Sequence, residues 1–553
     1  MVAAVVDSWP NDAGFDNNYE EHKPVELVVK GNIPTYAAGV LYRTGPLGYK
    51  AKTDDGKIWA AKHWFDGFSC VHRFQVDFLK EDGPAKVQYR SRRIVDEYLE
   101  VVRKTGKLDS VTFASKRDPC ESFFKKVMSI FYASQATRNA RNAHNVGVTL
   151  SINMPGGGYV KNPEKPSING HTNHIETLHA KTDAFLLNKI DPETLEPQGI
   201  ATQTVLHPEL KGPMSAAHAK SDPETGDIFN FNLDLGYKST YRVFRTSAST
   251  GKTEILARFN GKPAYIHSLF LTENYVVLCV WNSHITWSGI SLLYKKNIVD
   301  SIAPFDPKSK AMWYVVDRTH GKGLVATYES DPFFCFHSVN AWEEPDETDP
   351  KKTDIITELS MFENTDVIHR FYYDNLVSSI ANPEYMGKKR TSCLPMQTQF
   401  RLPRVNVSVS TGNPRPAEIV FQADKMISME LPTINPSYLT HRHRYSYGCA
   451  DRLKSSFMDG IVKFDNLTQK SIFWEVEGHT PGEPIFVADP EGKAEDDGVL
   501  LTVVLDGYVE RSYLLALDAS SLKEVGRAEM AGPMAFGFHG AYKAFERRYA
   551  GDI

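Results

Sequence analysis

A chain of 553 residues, 41% hydrophobic and 24% charged, can bury a large core, and its 37 glycines and 31 prolines carry neither a collagen-like nor a low-complexity bias. A net charge of -5 provides no global basic field for a phosphate backbone, which excludes a general nucleic-acid binder. The six cysteines are widely scattered without a C-x-x-C pair, the pattern of reduced buried thiols in a cytosolic protein rather than of a zinc site.

Residues 1–25 are polar and read as a surface arm, and the start MVAAVVDSWPNDAG lacks the cationic and apolar regions of a signal peptide. No later stretch reaches the roughly 18 apolar residues of a spanning helix, so any membrane contact is expected to be peripheral. GVLYRTGP (39–46) predicts a strand, and HWFDGFSCVHRFQV (63–76) a hairpin turning at Asp66 and Gly67. Short strands then dominate: 275–281, 312–318, 323–330, 404–410, 417–424, 460–465, 471–478, 498–507 and 512–518. DPET occurs at Asp191 and Asp222, each time as a turn between strands. Helical patterns fall at 118–134, 288–302 and 366–380, and EEPDETDPKKTD (343–354) reads as a solvated loop.

Many short strands in so long a chain point to an all-β fold, and a propeller is the economical choice because its strands share one central axis. No strict internal repeat is present, so this rests on strand texture and length. The helical insertions would cap one face.

Four histidines stand in structured surroundings: His218 in PMSAAHAKSDPETG, His267 in AYIHSLFLTENYVV, His337 in DPFFCFHSVNAWEE and His539 in AFGFHGAY. Any one of them alone is more often a satisfied core histidine than a ligand; together they form a candidate metal site. Such a site needs carboxylates to take the second ring nitrogens, and Glu430 and Glu483, each beside a proline at a strand start, are the candidates, although spacing alone favours surface glutamates. The clusters His171, His174, His179 and His441, His443 have irregular spacing and read as loop or channel residues.

The ordered set LYRTGP, HWFDG, SAAHAKSDPETGD, YIHSLFLTENYVV, DPFFCFHSVNAWEE, MELPTINPSY, GEPIFVADPEG and GFHG resembles the carotenoid cleavage oxygenases over nearly the whole chain, from about residue 41 to 540. That resemblance implies a single seven-bladed β-propeller domain with a helical cap over a non-haem Fe(2+). Its ligands would be His218, His267, His337 and His539, and Glu430 and Glu483 would be two of the carboxylates behind them. The family's third glutamate falls on Asp183, a departure: with one methylene less, either the backbone moves closer or the hydrogen bond lengthens.

The implied reaction adds both atoms of dioxygen across one C=C bond of a hydrophobic polyene and releases two carbonyl products. The pattern is most similar to fungal members that cut torulene, β-carotene or apocarotenals. Stilbene-cleaving members place a lysine directly before the third carboxylate; here that position is Thr182, with Lys181 one step away, so stilbene cleavage is the alternative. A retinoid isomerase or hydrolase and a non-catalytic scaffold rank lower. In residues 118–134, Phe123, Phe124, Val127, Met128 and Phe131 line one helical face beside two lysines, a pattern shared by interfacial helices and helices packed on their own core. The opening DPC followed by aromatics resembles the family's membrane-docking segment, which implies a cytoplasmic, peripherally membrane-associated protein.

Overall fold

Runs of β-branched and aromatic residues such as IFNFNLD (Ile228–Asp234) and AMWYVVD (Ala311–Asp317) form strands that hydrogen-bond to their sequence neighbours. The computed structural model describes residues 9–78, 83–106, 111–114, 144–158, 171–172, 175–380, 382–407 and 413–547. Among these residues lie three four-stranded sheets, two five-stranded sheets, one ten-stranded sheet and two two-stranded ribbons. The architecture is all-β and propeller-like. The first strands of successive sheets are Thr149–Ile152, Met214–Ser215, Phe270–Leu271, Phe334–Pro345 and Glu430–Thr433. Each forms one edge of its sheet, and these edges carry or adjoin the residues of the site.

The ten-stranded sheet joins the two ends of the chain. Val25–Gly31 divides its pairing: Val25 to Leu27 face Ala85–Arg93, whereas Val28 to Gly31 face Glu524–Glu529. Gly39–Pro46 lies between Ser69–Phe78 and Gly540–Ala544. Strands from the first hundred residues therefore close against strands from the last hundred, and no sheet edge is left at the junction.

Several expectations are corrected. Asp66 and Gly67 do not turn a hairpin: Trp64–Asp66 is a 3-10 turn, and the Asp66 carboxylate accepts the backbone N–H groups of Phe113 and Ala114 at 2.7 and 2.8 Å. Residues 404–407 form a turn, with Val407 N–H donating to the Arg404 carbonyl, and not the start of a strand. Glu343 and Glu344 belong to the strand Phe334–Pro345; Glu343 accepts from Thr272 and Asn274 and is no solvated loop residue. The presumed surface arm is packed from Trp9 to Phe15, where Asn11 bonds to Leu376 and Ser456 and Phe15 is completely buried. The long helical patterns break into short pieces, Ile290–Lys295 with Ile298–Ser301 and Asp366–Arg370 with Tyr373–Leu376. Asn297 caps the second piece by accepting from Asp300 N–H.

Asp96–Thr105 is a helix that strand texture obscured. Its first turn carries Asp96 and Glu97, its last Arg103 and Lys104, and Gly106 closes it at φ 62°. Residues 118–134, with Phe123, Phe124, Val127, Met128 and Phe131, lie outside the described residues, as does Cys120. The other five cysteines are free and buried, as expected for reduced thiols. No helix among the described residues is long and apolar enough to cross a membrane.

Candidate metal centre

Each histidine of the candidate set lies in or just before a strand at a sheet edge. His218 interrupts the edge between Met214–Ser215 and Lys220–Ser221, and its backbone N–H bonds to the His267 carbonyl at 3.1 Å. His267 stands three residues before Phe270–Leu271. His337 lies inside Phe334–Pro345, where the pairing register shifts between Cys335 and Ser338, a distortion that re-aims a side chain. His539 directly precedes Gly540–Ala544.

The four imidazoles converge. One ring nitrogen from each of His218, His267, His337 and His539 lies within 4.8 Å of the other three. The Nε2 atom of His539 is 2.9 Å from Nε2 of His218 and 3.3 Å from Nε2 of His337. His267, His337 and His539 are buried and His218 is partly buried. Among the described residues this is the only group of three or more such side chains placed to hold a metal ion.

Behind three of the rings stands a carboxylate. Asp183 holds His267 Nδ1 at 2.9 Å through both oxygens, Glu430 takes His337 Nδ1, and Glu483 takes His539 Nδ1 at 2.7 Å. Both glutamates are buried. The shorter Asp183 does not lengthen its bond, because its own segment is drawn in: its carbonyl accepts Ser215 N–H and its Oδ1 accepts Ala217 N–H, each at 3.0 Å.

Those bonds set the tautomers. A proton on Nδ1 facing a carboxylate leaves a lone pair on Nε2, so His337 and His539 present lone pairs to one another at 3.3 Å. Burial and the neighbouring imidazoles hold His218 far below its ordinary pKa. Burial brings His539 down to about 4 despite Glu483. Protonation of His218 or His539 is therefore disfavoured near neutral pH, whereas a cation at the centre would relieve the crowding. The donor set fits a transition metal.

Supporting residues extend beyond those the sequence singled out. Tyr265 donates its hydroxyl to Asp183 Oδ2 at 2.8 Å. Arg43 donates to Glu483 Oε2 at 2.9 Å and to the Glu483 carbonyl at 3.0 Å, and Gly540 N–H donates to Oε2 at 2.7 Å. Burial pushes the Glu483 carboxyl up, but His539, Arg43 and Gly540 outweigh it and hold the group below its usual value. Both residues sit in quoted motifs, YIHS and LYRTGP, and the signal lay there: a tyrosine two positions before His267 points the same way along extended chain, and a buried arginine needs a carboxylate.

The remaining histidines stay apart. His441 is exposed and pairs with Glu273 at 2.9 Å, whereas His443 is buried 3.3 Å from Glu358. His179 is buried away from the centre, and the side chains of His171 and His174 lie outside the described residues.

The comparisons with known proteins agree with this architecture. The chain is 43% identical to a carotenoid dioxygenase of Neurospora crassa over 97% of its own length and 91% of the relative's. It is 41% identical to a torulene dioxygenase of Gibberella fujikuroi, covering 97% and 94%. Among solved structures, a Synechocystis apocarotenoid oxygenase mutant superposes with a TM-score of 0.70 at 21% identity, covering 97% of this chain and 99% of that one. A cobalt-substituted form of the same oxygenase superposes with a TM-score of 0.67 at 21% identity over 96% and 98%. The family described as retinal pigment epithelial membrane protein matches residues 14–544, nearly every residue from the first packed turn to the last strand, and the chain belongs to that family.

Proposed function

We propose that this chain is a carotenoid-cleaving dioxygenase in which His218, His267, His337 and His539 hold one Fe(2+) ion. It cleaves one C=C bond of a carotenoid or apocarotenoid with dioxygen to give two carbonyl products. The observation that carries the reading is the convergence of four ring nitrogens within 4.8 Å, three of them on rings fixed by buried carboxylates. The names of the fungal relatives support the substrate class. A ferrous ion supplies the electrons and Lewis acidity that let dioxygen react with an alkene.

The protein's own share is positioning and exclusion of water. Asp183, Glu430 and Glu483 keep protons on Nδ1, aim the opposite nitrogens at the centre and offset the charge of a bound cation. Beyond the imidazoles, Phe65 is ringed by Phe113, Phe336, Phe371 and Phe538 at centroid distances of 4.7 to 5.8 Å, yet it remains partly open. His267 touches the same wall, its ring 5.8 Å from that of Phe336. A polyene held along such a wall meets the centre in a dry, apolar setting. No serine, cysteine or lysine nucleophile is needed.

The same reading makes the chain one domain. Counting the ten-stranded sheet as two blades sharing Val25–Gly31 gives seven blades, and the short helices between 287 and 301 and between 366 and 392 would belong to a cap. Peripheral docking on a cytoplasmic membrane face through Phe123, Phe124, Val127, Met128 and Phe131 rests on their sequence pattern and on the lipid solubility of the substrate. A stilbene substrate has less support, because Thr182 stands where a phenol-binding lysine would precede Asp183.

The test is to load the purified chain with Fe(II) without oxygen, add dispersed torulene, β-carotene, apocarotenals or resveratrol, admit dioxygen and identify products by mass spectrometry. Two carbonyl fragments from a polyene are expected. Cleavage of resveratrol alone would overturn the substrate, and products that do not require iron would overturn the metal.

A further inference from the structure

The three carboxylates behind the imidazoles are not held alike. Asp183 is fixed by the Tyr265 hydroxyl and the Ala217 N–H, and Glu483 by Arg43 and the Gly540 N–H. Glu430 has no comparable support among the described residues. Besides His337, its Oε2 accepts only the N–H of the adjacent Leu431, at 2.9 Å, and its Oε1 is buried without a partner. The place of this carboxylate is therefore set by the backbone of its own segment.

That backbone is strained on the C-terminal side of Glu430. Leu431 stands at φ 52° and Thr440 at φ 68°, a region that side chains disfavour and β-branched ones most of all. The pairing of Glu430–Thr433 with Tyr445–Ala450 also shifts register between Glu430 and Thr433. Such conformations persist only where their surroundings impose them. At Thr440 the surroundings are Asn340, buried on the strand that carries His337. Asn340 Nδ2 donates to the carbonyls of Tyr438 and His441 at 3.0 and 2.8 Å, and its Oδ1 accepts the Thr440 N–H at 3.1 Å. Two carbonyls on one side and an N–H on the other admit a single orientation of the amide. A second register shift in Phe334–Pro345, between Ser338 and Asn340, accompanies the one beside His337. On the N-terminal side of Glu430, the Ser360 hydroxyl donates to the Met429 carbonyl at 2.8 Å. The segment 430–440 is thus stapled at both ends to one strand, Glu430 to His337 and Thr440 to Asn340.

We propose that Asn340 is a positioning residue for the metal centre. By holding Thr440 in its left-handed conformation it fixes the course of the segment that carries Glu430, and so keeps that carboxylate on His337 Nδ1. The role rests on His337 being a metal ligand, as read above.

The test uses Co(II), which accepts the same nitrogen donors and reports its ligands through visible absorption. Its affinity is measured in competition with a chelator for the full chain, for Asn340→Ala, for Glu430→Gln and for the double variant. Asn340→Ala should weaken Co(II) by about tenfold, the scale for a group behind a ligand, and alter the Co(II) spectrum as Glu430→Gln does. The double variant should bind about as well as Glu430→Gln alone, because the two substitutions remove one function. Unchanged affinity or an unchanged spectrum in folded Asn340→Ala would overturn the proposal. So would losses that multiply in the double variant, the result of a general loosening. Loss of binding in His337→Ala with none in Asn340→Ala overturns the role of Asn340 alone, whereas undiminished binding in His337→Ala, or no binding by the parent chain, overturns the metal reading and this role with it. Should Asn340→Ala fail to fold, Asn340→Asp, which keeps the size and the acceptor for Thr440 but loses both donors, is measured in its place.

Discussion

Tyr265 donates its hydroxyl to Asp183 Oδ2 at 2.8 Å while Asp183 holds His267 Nδ1 at 2.9 Å, so a phenol and a shortened carboxylate together orient one imidazole. Removing the hydroxyl in Tyr265→Phe should weaken metal binding by about tenfold, the usual scale for a group behind a ligand, and be read by competition with a chelator. Asp183→Glu pushes the carboxylate toward the phenol and should also weaken binding. The double variant Asp183→Glu, Tyr265→Phe should then lie closer to the parent than the two single effects combined. Simple additivity would show that the two side chains do not act as a pair.

Arg43 and Glu483 form a buried ion pair at 2.9 Å, with the arginine side chain only 1% exposed. Arg43→Met leaves the Glu483 charge partly unpaired and should cost about 3–5 kcal/mol in urea unfolding. Arg43→Lys should recover only part of this, since Arg43 reaches both the carboxylate and the carbonyl of Glu483. A loss below about 1 kcal/mol, the level of an exposed pair, would contradict the assignment.

Asp451 ties the helical segment to the sheet below it: Arg370 reaches it at 2.6 Å and Arg390 at 2.5 Å. Burial acts to raise its carboxyl, but the two guanidinium groups outweigh burial and hold it below the ordinary value of 3.8. A depressed folded-state pKa contributes stability above the unfolded value and loses it as pH falls through the folded one. Asp451→Asn should therefore cost about 3–5 kcal/mol at pH 7, and the cost should shrink as the pH falls below 3.8. Urea unfolding of both proteins across that range measures it; a cost that grows toward low pH would contradict the sign.

Chelation should leave the lone pairs of His337 and His539 facing one another at 3.3 Å. Loading with Fe(II) at a hundred times the dissociation constant should then stabilise the chain by about 2.7 kcal/mol over the metal-free form. The thermal midpoint should fall on stripping and return on reloading. The same cycle in His337→Ala should leave it nearly unchanged.

Much of this fold was legible in the amino-acid order because its strands are local and apolar: Gly39–Pro46 and Gly460–Asp465 coincide with the hydrophobic runs that predict them. The histidines were legible for another reason, since each stands in an unusual local context. What escaped notice arises only when distant strands meet. Arg43 and Glu483 are 440 positions apart, and Asp183 and Tyr265 are 82 apart, so neither pairing leaves a local pattern. The turn at Asp66 and Gly67 misled because its hydrophobic flanks suit a hairpin, whereas the Asp66 carboxylate is spent on Phe113 and Ala114. The acidic run from Glu343 looked solvated because charge suggests water, but Glu343 is consumed by Thr272 and Asn274 across the sheet.

The most direct test of the central claim is anomalous diffraction at the iron edge from crystals of the Fe(II)-loaded chain. One peak is expected per molecule, bounded by the converging nitrogens of His218, His267, His337 and His539, and lost in His337→Ala. A peak among His171, His174 and His179, or at His441 and His443, or no peak in a folded and active protein, would contradict it.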